Sequence, residues 1–312
     1  MKKFLLLPLC LSFSILYGQR TIYSHAYGSQ EDPALIFLHG GPGYNSFSFE
    51  QVMADSLVKR GYFFIVFDQR GCGRSSEVEN AGYTFEEAFA DLDSIYLKYG
   101  IHTASLIGHS WGGTLGIKYA RSRPEKVTAL ILTDSPLSYQ QAFRTIIKRC
   151  KKIYTDQGAS QQLKYINTLE NSDTNSLNYS SFCFMHAMGC GLYNPSEPTA
   201  ESKALMLKIE DHKRADLLRS MTRSPVSGFF SNENYTTLDM EKDLKALKDV
   251  IPVSGIYGED DGLFDEAHFK RFRDILGNEN FYLVENAGHN VFIDQQPLFL
   301  DLVDVTLKKV RN

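Results

Sequence analysis

The sequence has no excess of basic residues and no apolar run long enough to cross a membrane. Its 33 Lys and Arg are outnumbered by 37 Asp and Glu, and the basic residues form no stripe. This composition gives no sign of a nucleic-acid partner. The main apolar run, residues 4–17, is about 14 residues long, whereas a membrane-spanning helix needs ~20. We therefore expect no nucleic acid and, in the mature form, no membrane among its partners.

The N-terminal segment has the pattern of a secretory signal peptide. Lys2 and Lys3 form a basic start, the apolar run follows, and Gly18 and Gln19 offer an end. An uncleaved anchor is the alternative, but the shortness of the run favours cleavage. We predict a signal peptide at residues 1–19 and export to the periplasm or beyond. Loss of the two lysines leaves 31 basic and 37 acidic residues, a net charge of −6.

Cysteine is scarce, with five in 312 residues, and no two cysteines are spaced as a Cys-x-x-Cys pair. Four of them lie beyond the predicted signal peptide: Cys72, Cys150, Cys183 and Cys190. An exported protein could join Cys183 to Cys190 in a disulfide bond. Free buried thiols are the alternative.

Continuous apolar runs bounded by turn residues predict strands that are buried on both faces of a sheet. The runs are residues 34–38, 62–67, 104–107, 127–132, 250–257 and 281–284, with an edge strand expected at 20–27. Helical patterns alternate with them at residues 49–59, 84–99, 114–121, 266–276 and 297–310. This alternation is typical of an α/β protein with a mostly parallel sheet flanked by helices.

The alternation stops between residues 137 and 239, where apolar residues recur at helical spacing and no strong buried strand appears. We interpret this stretch as a helical lid inserted into one α/β domain. The predicted organisation is therefore a core in two parts, residues 20–136 and 240–312, with the lid at 137–239 between them.

The most informative motif is Gly-x-Ser-x-Gly around Ser110, which follows one apolar run and precedes a helical run. This strand–turn–helix context is that of a nucleophile elbow. The serine of an elbow has a strained backbone, and side chains at the flanking positions, Gly108 and Gly112, would collide with the neighbouring strand and helix. A chance match to the motif is the alternative. The motif predicts Ser110 as a nucleophile.

A serine hydroxyl needs a base, and the base needs an orienting acid. In this type of fold the chain order is serine, acid, histidine. His289 follows the last predicted strand, and the loop after the preceding strand offers Glu259, Asp260 and Asp261. We predict His289 as the base and Asp261 as the acid, with Asp260 as the alternative.

The loop after the first buried strand has the sequence His-Gly-Gly-Pro-Gly at residues 39–43. Such a loop can turn a backbone N–H towards the serine, so we predict an oxyanion hole formed by the N–H groups of Gly41 and Trp111. A plain tight turn is the alternative. We expect His39 and His109 to shape the pocket, and we expect Cys72 to be no nucleophile because no basic partner accompanies it.

These motifs, together with Asp-Gln-Arg-Gly-x-Gly-Arg-Ser at residues 68–75, resemble the α/β-hydrolase fold and, within it, the proline iminopeptidase family of serine peptidases. The resemblance covers roughly residues 20–136 and 240–312. It implies Ser110 as nucleophile, His289 as general base and acid, Asp261 as orienting acid, and an oxyanion hole at Gly41 and Trp111.

Members of that family remove an N-terminal residue, often proline, from short peptides and bind its free amine through glutamates of the lid. The resemblance implies Glu233 as the candidate amine ligand, with a solvated loop acid as the alternative. It implies no metal and no organic cofactor. A carboxylesterase or lactonase with the same triad and a non-catalytic binding protein of the same fold remain alternatives. An epoxide hydrolase or dehalogenase is disfavoured because those enzymes place aspartate at the elbow.

Overall fold

The computed structural model describes residues 22–75 and 80–311 of the 312-residue chain. The signal peptide predicted at residues 1–19 lies outside these ranges. Within them, no helix combines the length and the apolar character that a membrane crossing needs.

The centre of the molecule is a seven-stranded sheet in the order β1-β3-β2-β4-β5-β6-β7. The edge strand β1 runs antiparallel to β3, and all other neighbours are parallel. The strands are β1 Ser24–Tyr27, β2 Ala34–Leu38, β3 Phe63–Phe67, β4 Ala104–His109, β5 Val127–Thr133, β6 Val253–Gly258 and β7 Phe281–Val284. The predicted α/β class and mostly parallel sheet are confirmed.

Twelve α-helices accompany the strands within the described ranges. They are α1 Phe47–Lys59, α2 Phe85–Lys98, α3 Trp111–Ser122, α4 Tyr139–Asp156, α5 Ser160–Glu170, α6 Leu177–Gly189, α7 Ala200–Glu210, α8 Arg223–Glu233, α9 Glu241–Leu247, α10 Glu266–Leu276, α11 Val291–Asp294 and α12 Gln296–Arg311.

Apolar cores lie on both faces of the sheet, which explains why the strands have continuous apolar runs. In β2, Ile36 and Leu38 belong to the core shared with α2, α3 and α10. Leu35 and Phe37 point to the opposite face and pack with α1, α11 and α12. Side chains alternate between the faces of a strand, so each face receives every second residue.

The segment predicted to be a lid, residues 137–239, contains helices α4 to α8 and no strand; we call it the helical insertion. A single antiparallel bridge joins Ser138 to Asp239 at its two ends. Residues at helical spacing in α4, including Phe143 and Cys150, are buried as the pattern predicts. The exact domain boundaries remain predictions.

One strand boundary differs from the sequence analysis for an identifiable reason. The strand expected from residue 250 begins at Val253, because the N–H groups of Val250 and Ile251 bond to Leu247 O at the end of α9. Helix α2 is capped by Thr84, whose Oγ1 accepts the Glu87 N–H at 3.2 Å. The Glu87 carboxylate pairs with Arg70 at 2.7 Å instead of closing the capping box.

Candidate active site

The predicted site residues lie at the carboxyl edge of the sheet, where parallel strands present their ends together. Ser110 stands between β4 and α3 with φ 53° and ψ −122°, a conformation that few non-glycine residues adopt. Its N–H donates to Thr133 O at 2.9 Å, and its carbonyl accepts from Ser135 Oγ at 2.8 Å. These bonds to the end of β5 hold the strained turn predicted from the motif.

The glycines of the elbow are required by space, as the sequence predicts. A Cβ at Gly108 would lie 2.6 Å from the Gly113 Cα on α3, and one at Gly112 would lie 2.0 Å from Leu38 O on β2. A Cβ at Gly113 would lie 2.2 Å from Ser135 Oγ. The start of α3 therefore packs against the sheet at backbone distance.

We expect Gly112→Ala to lower the free energy of unfolding by about 3 kcal/mol, because the new methyl group overlaps backbone that cannot move alone. Urea denaturation followed by circular dichroism measures the change. Gly189→Ala is the matched control, since a Cβ there meets only Tyr154 Oη at 4.0 Å within α6. A small stabilisation of about 0.5 kcal/mol is expected for the control. Equal effects of the two changes would contradict this account of the elbow.

The structure brings His289 and Asp261 into direct contact, with His289 Nδ1 2.8 Å from Asp261 Oδ2. The side chain of His289 is 6% exposed and that of Asp261 is 0% exposed. A carboxylate can only accept, so Nδ1 carries the proton and Nε2 is left with its lone pair. This is the tautomer that a general base needs.

The backbone of His289 is held on both sides. Its N–H donates to Tyr193 O of the helical insertion at 2.9 Å, and its carbonyl accepts from His109 Nε2 at 2.8 Å. Burial, followed by the proximity of His289, lowers the pKa of His109 to about 3, so His109 is neutral and donates through Nε2–H. The residue before Ser110 thus ties the elbow to the loop of His289, a pocket-shaping role of the kind expected for it.

Two further carboxylates bind the backbone around His289. Asp294 Oδ2 accepts the Gly288 N–H at 2.9 Å. Asp134, at the end of β5, accepts the Gly258 N–H at 2.9 Å and the Val291 N–H at 3.4 Å. Burial, and then the charge of Asp261, raise the pKa of Asp134 well above its ordinary value. Asp134 therefore connects the acid loop to the histidine loop.

The alternative acid, Asp260, faces away from the histidine. Its Oδ2 accepts the N–H and the hydroxyl of Ser196 in the helical insertion, at 2.8 and 2.7 Å. Asp261 Oδ1, by contrast, accepts the Leu263 N–H at 3.0 Å while Oδ2 holds the imidazole. The geometry favours Asp261 over Asp260.

Asp294 gives a pH-dependent prediction. Burial raises its pKa from 3.8 to about 6, so the folded state binds the proton more tightly than the unfolded state and the charged carboxylate destabilises the fold above pH 6. Because one pKa unit corresponds to about 1.4 kcal/mol, the shift of about two units corresponds to roughly 3 kcal/mol, and we expect Asp294→Asn to unfold with a free energy higher than that of the native protein by up to this amount at pH 8. The difference should shrink between pH 7 and pH 4, as the native carboxyl becomes protonated.

Urea unfolding at pH 8, 6 and 4 measures this effect. The exposed Asp274, which pairs with Lys270 on the surface of α10, provides the control, and Asp274→Asn should change stability little at any of these pH values. An Asp294→Asn variant less stable than the native protein at pH 8 would show that the charge itself supports the loop.

The two predicted oxyanion donors belong to the start of α3 and to the glycine loop that approaches the elbow. Trp111 is the first residue of α3, where helix N–H groups have no intrahelical acceptor. Gly41 has φ 127°, and a Cβ there would lie 2.6 Å from the Gly43 N, so the loop requires glycine. Gly40 approaches the elbow, with a Cβ position 3.1 Å from Ser110 Cβ.

Gln69 fixes the surroundings of this loop. It donates from Nε2 to His39 O at 2.8 Å and accepts from the Trp111 indole N–H at 3.1 Å. Its own N–H donates to His39 Nε2 at 2.8 Å, and burial lowers the pKa of that histidine. His39 is therefore a structural link beside the site.

The segment at residues 68–75 is held by a network of structural hydrogen bonds. The buried Asp68 accepts the Arg74 N–H at 2.8 Å and the Ser46 hydroxyl at 2.7 Å, and Arg70 bonds to Asp91 on α2 at 2.8 Å. Burial raises the pKa of the Cys72 thiol, which agrees with the expectation that it is no nucleophile.

Glu233 lies at the end of α8, and its Oε1 accepts the Phe85 N–H at the start of α2 at 2.8 Å. The Phe85 ring stacks on Trp111 with centroids 5.6 Å apart. The predicted amine ligand therefore contacts Phe85, whose ring in turn contacts Trp111 of the elbow. One of its carboxylate oxygens already has a structural partner.

Sequence reasoning assigned no role to three residues of the site: Tyr193, Asp134 and Asp294. The Tyr193 ring meets His289 edge-on, with centroids 5.0 Å apart. A signal for Asp134 existed, because the sequence places it at the end of a buried strand, where site residues of parallel sheets collect. Tyr193 has no such signal. In the described parts of the chain, no group of His, Cys, Asp or Glu could hold a metal ion.

Comparison with known proteins agrees with the observed fold. The alpha/beta hydrolase fold family matches residues 33–296. A proline iminopeptidase of Lactobacillus delbrueckii subsp. bulgaricus is 26% identical over 295 residues, which cover 92% of this chain and 94% of the relative.

Solved structures show the same fold at lower identity. A proline iminopeptidase-related protein from Thermus thermophilus has a TM-score of 0.68 at 20% identity, covering 94% of this chain and 95% of that one. An esterase from Exiguobacterium antarcticum has a TM-score of 0.59 at 18% identity, covering 93% and 96%. The chain thus belongs to the α/β-hydrolase fold family, is a hydrolase, and is similar within that family to the proline iminopeptidases.

Proposed function

We propose that the protein is a serine aminopeptidase that releases an N-terminal residue, proline or another small or apolar one, from short peptides. The observation that carries the proposal is the buried His289–Asp261 bond of 2.8 Å, beside the glycine-shaped elbow of Ser110. Similarity to a proline iminopeptidase along 92% of the chain supports the substrate class.

In the proposed mechanism, Ser110 attacks the carbonyl carbon of the first residue while His289 Nε2 takes the hydroxyl proton. The N–H groups of Gly41 and Trp111 bind the developing oxyanion, and each such donor contributes roughly 10²–10³ in rate. His289 then gives its proton to the leaving amine. Water hydrolyses the acyl-enzyme by the same proton transfers in reverse order. Asp261 keeps the proton on Nδ1 throughout.

The free amine of the substrate would bind the second oxygen of Glu233. The first oxygen accepts the Phe85 N–H, so the carboxylate is fixed at the start of α2 and could present its remaining oxygen to a cation. A charged carboxylate is a strong acceptor for an ammonium group.

A carboxylesterase is the second candidate, and it is favoured by the contact that already occupies Glu233. If that contact is the whole role of Glu233, the site lacks an amine ligand and would accept acyl groups without one. Similarity to the fold of an esterase is in keeping with this alternative.

Hydrolysis of prolyl and alanyl amides, each with a free or an acetylated amine, distinguishes the two candidates. Glu233→Gln is the informative variant, because its amide oxygen can still accept the Phe85 N–H while the charge is lost. We expect acetylation to abolish cleavage and Glu233→Gln to raise KM about tenfold or more, as for loss of a charged hydrogen bond. Glu197→Gln, an exposed acid of the helical insertion, is the control. Cleavage indifferent to both acetylation and Glu233→Gln would establish the esterase.

Labelling by a serine-directed phosphonate tests whether the protein is an enzyme at all. Failure of native protein to react, under conditions where a known serine hydrolase reacts, would favour a non-catalytic binding protein.

We also propose that the protein is exported, on the basis of the signal-peptide pattern at residues 1–19. N-terminal sequencing of the protein recovered from the periplasmic or external fraction tests this. Recovery of the intact N-terminus from the cytoplasm alone would overturn it.

A further inference from the structure

Three free thiols lie together in the helical insertion, away from the predicted catalytic groups. Cys150 is on α4, Cys183 is on α6, and Cys190 follows the last residue of α6. The thiols of Cys190 and Cys183 both neighbour the Cys150 thiol, and Cys190 also neighbours the Tyr154 hydroxyl. Cys150 and Cys183 are buried, whereas Cys190 is partly exposed.

The packing of α4 on α6 supports this arrangement independently. Tyr154, one turn after Cys150, bonds through its hydroxyl to His186 Nδ1 at 2.8 Å. A Cβ on Gly189 would lie 4.0 Å from the same hydroxyl. The Tyr154 side chain therefore packs on residues 186–189 at the end of α6, and Cys150 lies one turn earlier on the same face of α4.

The pairing suggested by the sequence, Cys183 with Cys190, does not fit this geometry. Seven residues along one helix separate two Cα atoms by about 10 Å. A disulfide requires Cα atoms within about 7 Å. Cys183 lies within α6 and Cys190 is the residue that caps its C-terminus. The two could form a disulfide only if the end of the helix unwound.

We propose that Cys150 and Cys190 form an oxidisable pair that takes up a small-molecule disulfide as co-reactant and becomes a disulfide bond between α4 and the end of α6. In the first step the exposed Cys190 thiolate attacks one sulfur of the small disulfide, forms a mixed disulfide and releases one thiolate. In the second step Cys150 loses its proton to solvent and attacks the Cys190 sulfur, which releases the second thiolate. Two electrons pass from the protein thiols to the small disulfide.

This disulfide would link two segments of the helical insertion that contact the loops of Asp261 and His289. Arg149, next to Cys150, donates from Nη1 to Asp261 O at 3.1 Å. Just after Cys190, Leu192 O accepts the Gly262 N–H at 2.7 Å and Tyr193 O accepts the His289 N–H at 2.9 Å. Oxidation would therefore fasten α4 to the segment that holds the acid loop and the histidine loop.

The test is intact mass of the native, fully reduced protein after incubation with oxidised glutathione without denaturant. We expect the native chain and Cys183→Ala to lose the mass of two hydrogen atoms and retain no glutathione. Cys150→Ala should instead retain one glutathione, at Cys190, and Cys190→Ser should show neither change. The order of the two steps explains this contrast, because Cys190 is the partly exposed thiol of the pair whereas Cys150 is buried.

Two further readouts follow from the same pair. Burial raises the pKa of Cys150, so the transient mixed disulfide should resolve to the internal disulfide more slowly at pH 7 than at pH 9, and the final mass is read once resolution is complete. The oxidised protein should melt about 5 °C higher than the reduced protein, and the increase should be absent in Cys190→Ser.

The proposal is overturned if Cys183→Ala no longer oxidises, if Cys150→Ala still loses two hydrogen atoms, or if native thiols stay reduced under conditions that oxidise an unfolded control. Circular dichroism confirms that each variant is folded before its mass is interpreted. None of these readouts depends on the enzymatic activity, so their outcome is separate from that of the proposed function.

Discussion

Replacing Ser110 by alanine is expected to lower kcat by about 10⁶-fold, the loss seen when a triad nucleophile is removed from a serine hydrolase. The alanine methyl group keeps the volume of the serine Cβ but offers no nucleophile, so no acyl-enzyme can form. Substrate binding uses other groups, and the dissociation constant of an unreacted substrate should stay within about threefold. Steady-state hydrolysis and isothermal titration with the same amide measure the two quantities.

A loss of activity could also come from collapse of the elbow, and Ser135→Ala controls for this. Ser135 Oγ donates to the Ser110 carbonyl at 2.8 Å, so its removal disturbs the turn without removing the nucleophile. We expect Ser135→Ala to lose about 1 kcal/mol of stability and retain most of its activity. Activity of Ser110→Ala comparable to that of Ser135→Ala would show that the chemistry does not pass through Ser110.

The sequence determines the sheet well because each buried strand is a short, continuous apolar run. The runs at residues 34–38 and 281–284 match β2 and β7 to the residue, and the helix pattern at 266–276 matches α10. Short elements escape prediction: α11 has four residues and α9 has seven. A single turn has too few residues to show a 3.6-residue period.

Some residues of the site can be predicted from the sequence around them, whereas others are identified only by contacts between distant parts of the chain. The elbow glycines, the acid loop and the histidine loop are each readable within a few residues of their own strand. The contacts that orient His289 are not, because Tyr193 O and His109 Nε2 are 96 and 180 positions away in sequence. Such hydrogen bonds depend on how distant segments, including the helical insertion, pack against one another. A local sequence pattern does not predict that packing.

Glu233 shows how local reasoning can miss a second use of one residue. The resemblance to the proline iminopeptidases implies an amine ligand here, whereas in the structure one of its oxygens bonds to the start of α2, 148 positions earlier. A helix N-terminus favours a carboxylate electrostatically. The contact is therefore stable in its own right, and the substrate panel is needed to decide whether Glu233 also binds substrate.

The second large effect is expected for Asp261→Asn, which should lower kcat by about 10⁴-fold with little change in KM. The carboxylate accepts the Nδ1 proton of His289 at 2.8 Å. An asparagine can turn its NH₂ group towards Nδ1, which moves the imidazole proton to Nε2. The histidine then faces Ser110 with a donor and cannot take the serine proton. Steady-state rates from pH 6 to 10 measure the effect.

Asp260→Asn is the matched control, because it makes the same chemical change one residue away in the same loop. Asp260 bonds to Ser196 and not to His289, and so its variant should lose less than about tenfold in kcat. The contrast separates orientation of the histidine from general disturbance of the loop. If both variants lost activity equally, the loop would act as a unit.

If Asp260→Asn alone lost activity, Asp260 would be the acid, and the catalytic contact would differ from the one observed at Asp261. Because Asp134 also binds this loop, at the Gly258 N–H, the residual activity of Asp261→Asn measures how far an intact backbone can orient His289 without its carboxylate.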